Sequence, residues 1–227
     1  YLDHSEIIQM EEGGRDVTQK DQFYQQIQLV VEPLKDWLIH AEGNMKIVNN
    51  QNQWEVLPVY YHDGEGSPVA MAWFDGYTPG MSRVNQSYWK DNNYSLNLYT
   101  DYFKQIGDHY FKVMGGFNAE LYKRTNLSGQ RDELITPDVP TLNTGTTEQK
   151  ANGGYSHWAN AGFFGRINYN YKERYLLEIN GRYDGSSRFI GDKRWGFFPS
   201  FSAGWNVSRE PFWRDLEHIV NNFKIRG

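Results

Sequence analysis

Between Asn168 and Trp213 the chain alternates apolar and polar residues with a period of two, over a strand, a four-residue turn, a second strand, a polar loop and a third strand. From Tyr175 the odd positions are Tyr175, Leu177, Ile179, Gly181 and Tyr183, and the even ones are Leu176, Glu178, Asn180, Arg182 and Asp184. After the loop, Trp195, Phe197, Pro199, Phe201, Ala203, Trp205 and Val207 alternate with Gly196, Phe198, Ser200, Ser202, Gly204, Asn206 and Ser208. Successive side chains of a strand point to opposite faces, so one face is greasy and aromatic and the other polar and small. That is the pattern of a strand with hydrocarbon on one side and a wet lumen on the other.

The same signal recurs upstream. Residues 1–20 are polar and read as the end of a loop. A strand is expected at about 22–31, with Phe23, Ile27, Leu29 and Val31 in phase, then a tight turn at 32–36 and a strand at about 37–48. An irregular stretch, 49–92, leads to strands at about 93–103 and 109–121 across a turn at 104–108. A second long loop, 122–157, precedes a hairpin at about 159–184 that turns at Tyr171-Lys172-Glu173-Arg174. A helical or irregular link at about 209–220 precedes a last strand near Asn222. Short turns and long loops therefore alternate strictly, which is the bookkeeping of an outer-membrane barrel with short periplasmic and long extracellular connections. Greek-key sandwiches mix the two lengths. The expected fold is all-β, an antiparallel up-and-down transmembrane β-barrel segment of about eight strands, with 1–227 forming part of one barrel domain.

Composition agrees. Aromatic residues make up 16% of the chain, with 16 Tyr, 13 Phe and 8 Trp, and girdles at two membrane interfaces would use them. The mean hydropathy of −0.75 fits strands that hide a lipid face in a period of two, and no apolar run approaches the roughly 20 residues of a spanning helix. A formal net charge of −5 argues against a nucleic-acid partner. With no cysteine, disulfide frameworks and thiolate metal sites are excluded.

The motif Asp184-Gly-Ser-Ser-Arg-Phe189, followed by Trp195-Gly-Phe-Phe-Pro-Ser-Phe-Ser-Ala-Gly-Trp205 and Asn221-Asn-Phe-Lys-Ile-Arg-Gly227, resembles the SusC/RagA family of TonB-dependent outer-membrane transporters. The likeness is dense over 163–227 and looser over about 23–122. It implies a large plugged barrel in the bacterial outer membrane that imports bulky nutrients, glycans or peptides, beneath a SusD-like surface lipoprotein. Energy would come from TonB through an N-terminal part, with the plug, that this stretch does not contain. The first residue is not Met and the final strand is still alternating at Lys224–Gly227, so a segment of a larger barrel is expected.

Three groups of candidate residues follow. Arg166, Asn168, Asn170, Glu178, Asn180 and Arg182, with Asp184, would face the lumen and meet the plug or the transport path. Trp37, Tyr171, Tyr175, Tyr183, Trp195 and Phe197 stand at strand ends, where amphipathic rings anchor at headgroup level. Tyr60, Tyr61, Trp73, Phe74 and Tyr77 fall in a long loop and could stack on sugars or pack against a lid protein. The loop His62-Asp63-Gly64-Glu65-Gly66 fails the ligand spacing of an EF-hand. The six histidines are scattered without metal-ligand spacing, and no nucleophile elbow appears, so neither cofactor nor enzyme chemistry is expected. The alternatives in view are a siderophore or vitamin receptor of the same build, a small self-closed barrel, a barrel enzyme with a rim of Ser, His and Asp, and a soluble sugar-binding sandwich with a core closed between two sheets.

Overall fold

The computed structural model describes residues 6–71 and 79–227. A seven-residue helix, α1 (Glu6–Glu12), precedes strands β1 (Asp16–Leu34), β2 (Trp37–Val56), β3 (Tyr60–His62), β4 (Pro68–Ala70), β5 (Arg83–Ile106) and β6 (His109–Asp132). Strands β7 (Lys150–Tyr171), β8 (Tyr175–Ser186), β9 (Trp195–Asn206) and β10 (Lys224–Arg226) complete the chain. The main sheet has eight strands in the order β1-β2-β5-β6-β7-β8-β9-β10, and β3 and β4 form a separate two-stranded ribbon. Each strand of the main sheet lies beside its neighbour in sequence, as an up-and-down meander requires.

The hairpin turns use the chemistry that tight reversals demand. Asp36, Gly107, Lys172 and Glu173 all have positive φ, between 53° and 71°, which is the region that twisted two- and three-residue connections need. Gly107 meets this at no steric cost.

By Cα packing the chain forms two units. One comprises Tyr24–Lys46, Asn93–Tyr122 and His157–Gly227 and holds the short turns; the other comprises Tyr1–Phe23, Ile47–Asn92 and Lys123–Ser156. In the second unit, forked ion pairs cross between strands: Arg83 donates to both Asp132 oxygens at 2.7 and 2.9 Å, and Arg124 to both Asp91 oxygens at 2.6 and 2.8 Å. There Arg131 also donates to the carbonyls of Thr147 and Leu142, tying down the loop after β6.

Burial excludes a sandwich. Among the described residues only Val48, Val59, Met71, Val84 and Val207 are buried apolar side chains. The chain exposes 16,037 Å², against roughly 10,700 Å² for a compact soluble monomer of this mass. The apolar residues of this sheet are on its surface.

Several strands are longer than the alternation suggests. Strand β2 runs to Val56, β5 begins at Arg83, β6 ends at Asp132 and β7 begins at Lys150. Part of each expected long loop, including much of residues 1–20, is therefore strand or helix. The reason is physical: Asn49–Gln53, Arg83–Asn92 and Lys123–Asp132 carry polar residues on both faces, so the period-two signal vanishes although the ladder continues.

Candidate functional site

Strand registers place the candidate residues on two opposed faces. Between β7 and β8 the pairs Phe163–Tyr183, Ile167–Ile179, Tyr169–Leu177 and Tyr171–Tyr175 share one face, and Arg166–Asn180, Asn168–Glu178 and Asn170–Leu176 share the other. Between β8 and β9 the first face continues as Ile179–Phe201, Tyr183–Phe197 and Tyr175–Trp205, and the second as Glu178–Ser202 and Asn180–Ser200.

The apolar face is bare. Ile179 is 47% exposed, Phe197 65% and Phe201 85%. Several of its aromatics stand at the ends of the strands, with Phe201 between them. Tyr171 stacks on Tyr175 (centroids 6.3 Å apart) and lies 4.7 Å from His109, while Tyr183 stacks on Trp195 at 5.1 Å. Trp37 donates its indole N–H to Thr100 Oγ1 at 2.6 Å. From the Tyr175–Trp205 pair to the Gly185–Trp195 pair is ten residues along β8. At about 3.3 Å per residue and a tilt near 40°, that span is about 25 Å, the height of the apolar band of an outer-membrane barrel.

The opposite face is a hydrogen-bonded ladder. Asn168 Nδ2 and Asn180 Nδ2 donate to the two oxygens of Glu178 at 2.7 and 2.8 Å, and Arg166 Nε donates to Asn180 Oδ1 at 2.6 Å. Arg182 forks onto Asp184 at 2.8 and 3.0 Å and covers the ring of Phe164. All six of the polar candidates share this face; Asn170 is the exception in bonding, its Oδ1 being buried without a hydrogen-bond partner. Phe164, Leu176 and Phe198 also stand here, so the wall is polar with apolar studs.

One polar cluster of this unit was not singled out by sequence. His40 stacks flat on Tyr99, with centroids 4.3 Å apart and planes 6° apart. Asp101 lies between His40 Nε2 (3.5 Å) and Lys112 Nζ (3.2 Å). Tyr99 donates its hydroxyl to Glu42, which also accepts from Gln28. The alternation of β2 puts His40 and Glu42 on the polar side, but partners some 60 residues away are invisible within one strand.

The short connections are clamped together. Lys172 pairs with Asp108 at 3.3 Å, Arg209 with Glu173, and Arg174 with Glu210 at 3.2 Å. Asn206 Nδ2 donates to the Glu173 carbonyl and Trp205 Nε1 to Glu210. Glu210 is held below the usual carboxylate range by the Tyr175 hydroxyl first, against a desolvation cost, with Trp205 and Arg174 adding to the effect. Lys172 is raised, chiefly by its hydrogen bond to Asp108.

Of the outer-loop aromatics, Tyr60 and Tyr61 lie on β3, where Tyr60 pairs with Ala70 and Tyr61 with Val69. Consecutive strand residues point to opposite faces, so one stacking platform takes only one of the two. Trp73, Phe74 and Tyr77 lie outside the described residues. Asp63 Oδ1 accepts from the backbone N–H groups of Glu65 and Ser67 at 2.9 and 2.8 Å, which makes it the brace of its own turn. Among the described residues no three His, Asp or Glu side chains are grouped to hold a metal.

A meander with one bare apolar face, one laddered polar face and aromatic belts about 25 Å apart defines the class: a wall of an outer-membrane β-barrel. Solved structures of that class share the fold. The RagAB peptide transporter superposes with a TM-score of 0.78 at 16% identity, over 89% of this chain and 21% of its own. The siderophore receptor PiuA from Acinetobacter baumannii does so with a TM-score of 0.52 at 12% identity, over 86% and 32%.

No family model matches the chain, but curated proteins do. The TonB-dependent receptor SusC of Bacteroides thetaiotaomicron is 35% identical over 137 residues, covering 59% of this chain and 13% of that protein. The TonB-dependent receptor P26 of Formosa agariphila is 30% identical over 207 residues, covering 86% of this chain and 19% of that protein. The chain belongs with the SusC-like TonB-dependent receptors and corresponds to a stretch of their β-barrel, spanning a fifth or less of the length of these two relatives. They are receptors and not enzymes.

Proposed function

We propose that this stretch is wall for a TonB-dependent importer of the bacterial outer membrane, taking up a bulky nutrient, a glycan or a peptide, beneath a SusD-like surface lipoprotein. The observation that carries it is the pairing of two opposed faces on one neighbour-to-neighbour sheet: Ile179 and Phe201 bare on one side, Glu178, Asn168 and Asn180 laddered on the other. Such a wall separates hydrocarbon from a hydrated lumen. On this account Arg166, Asn168, Asn170, Glu178, Asn180 and Arg182 face that lumen. Trp37, Tyr171, Tyr175, Tyr183, Trp195 and Phe197 anchor the two interfaces. The wall does no chemistry on its cargo; it supplies a rigid polar surface against which a plug moves when TonB pulls.

The likeness to SusC favours a bulky organic nutrient over an iron chelate. The test is isolation of the full-length receptor from outer membranes in mild detergent, with identification of co-purifying lipoprotein, beside growth of a deletion strain on oligosaccharides, peptides or limiting iron. A co-purifying surface lipoprotein and a growth defect confined to oligosaccharides or peptides are expected. A lone receptor with a defect only under iron limitation would replace this proposal with a siderophore receptor, as PiuA is.

A further inference from the structure

Near the Trp195 end of the band, the bare face is not flat. A groove of about 420 Å³ opens there, within the roughly 300–1,000 Å³ of small-molecule sites. Its lining includes Leu96, Ala119, Ala161 and Gly185, with Tyr94 and Trp195 among the aromatic members. Register explains the hollow: Ala161 pairs with Gly185, and Gly185 with Trp195, so one cross-strand row carries small side chains up to the indole. A Cβ on Gly185 would meet the Trp195 rings at 2.6 Å, which means the indole lies over the glycine. Elsewhere on the band bulky side chains such as Phe117 and Phe163, 5.1 Å apart, fill the space.

The groove meets positive charge. Arg194 lines it, in the 3-10 turn Gly191–Arg194 that also holds Lys193 and Asp192. Arg194 donates Nε to the Phe189 carbonyl at 3.4 Å and pairs with no carboxylate among the described residues. The one acid of the lining, Glu120, accepts from Asn93 Nδ2 at 3.1 Å. In the same loop Phe189 and Ile190 are 59% and 89% exposed. The loop thus offers exposed apolar side chains and cations side by side, the combination that suits an anionic headgroup with acyl chains beneath it.

We infer that this groove is a lipid site: an acyl chain of a phosphorylated, multiply acylated glycolipid of the outer leaflet lies along Leu96, Ala119 and Ala161, and Arg194 with Lys193 engages its phosphate. The site is continuous with the bare apolar face and rests on that face meeting lipid. It gives the Asp184–Phe189 motif a role as the lip of the groove.

The experiment is native mass spectrometry of the full-length receptor in mild detergent, titrated with lipid A, with dephosphorylated lipid A and with phosphatidylcholine. Lipid A should be retained most tightly. The double variant K193Q/R194Q should lower its preference over the dephosphorylated form about tenfold, the size of one charge-assisted contact. Filling the groove with Ala161→Trp should lower retention of both forms. Equal retention of all three lipids, or a preference unmoved by K193Q/R194Q, overturns the site; that exposed pair tests it even if Ala161→Trp does not fold. A receptor that stays in solution without detergent would instead defeat the membrane assignment, so the two failures are distinct.

Discussion

Phe201 and Ser202 are adjacent on β9, and they should respond very unequally to the same substitution. Phe201 is 85% exposed and pairs with Ile179; Ser202 pairs with Glu178 on the laddered face. Ile179 is four residues from Tyr175 along β8, which at about 3.3 Å per residue and a tilt near 40° puts the pair about 10 Å inside one aromatic belt and near the middle of a band of about 25 Å. An arginine near the midplane costs about 2–4 kcal/mol, and losing a Phe ring that lies in hydrocarbon costs about 1.5–3 kcal/mol more. Phe201→Arg should therefore destabilise the full-length receptor by about 3.5–7 kcal/mol, the sum of those two. Ser202→Arg, placed opposite Glu178, should stay within about 0.5 kcal/mol. In water the order would reverse, since replacing an exposed phenylalanine relieves an unfavourable surface. The assay is denaturant titration of the receptor refolded into phospholipid vesicles, with heat-modifiable gel mobility as the check on folding. Similar midpoints for wild type and Phe201→Arg, or equal losses for the two variants, would refute the lipid-facing assignment.

The clamp at the short connections gives a pH dependence. The folded-state pKa of Glu210 is lowered, so its stabilisation is complete above the unfolded carboxylate pKa and drains away as pH falls through the lower folded value. Glu210→Gln should flatten the acid limb of a stability-against-pH curve; an unchanged limb counts against the clamp. Asp132→Asn, which breaks the forked pair with Arg83, should cost about 1–3 kcal/mol and speed amide exchange around Ser82 and Leu134, whose groups bond each other. Gly116→Val should be poorly tolerated, because even a Cβ there would meet the Phe164 ring, Tyr99 Cβ and the Leu98 carbonyl at 2.6–2.7 Å. Overpacking of about 1–3 kcal/mol would appear as a lower melting midpoint, and a neutral result would mean that the Phe164 ring and the β5 backbone at Leu98–Tyr99 both give way.

The sequence is most legible where the two faces of a strand meet different solvents. From Tyr175 to Trp205 the contrast is large, and both the strands and the facing of Glu178, Asn180 and Arg182 follow from parity alone. At Arg83–Asn92 or Lys123–Asp132 both faces are polar, so strand and loop look alike, and only a cross-strand fork such as Arg124 on Asp91 reveals the ladder. His40 illustrates a second limit: its side of β2 is readable, but Tyr99 and Asp101 become its neighbours only through pairing with β5. The groove needed register too, since Ala119, Ala161 and Gly185 are unremarkable until they align in a row.

The eight strands of the main sheet lie side by side in chain order, with the β3–β4 ribbon set off between β2 and β5, and this makes the wall modular. A hairpin needs only the one before it and the one after it, so hairpins can be laid down in sequence without threading any segment past another. The same economy applies over evolutionary time: duplicating or deleting a hairpin such as β7–β8 changes the circumference while every other pairing keeps its partner. The width of such a sheet thereby becomes adjustable by copying short stretches of gene, with charged clamps such as Lys172–Asp108 and Arg209–Glu173 joining successive turns.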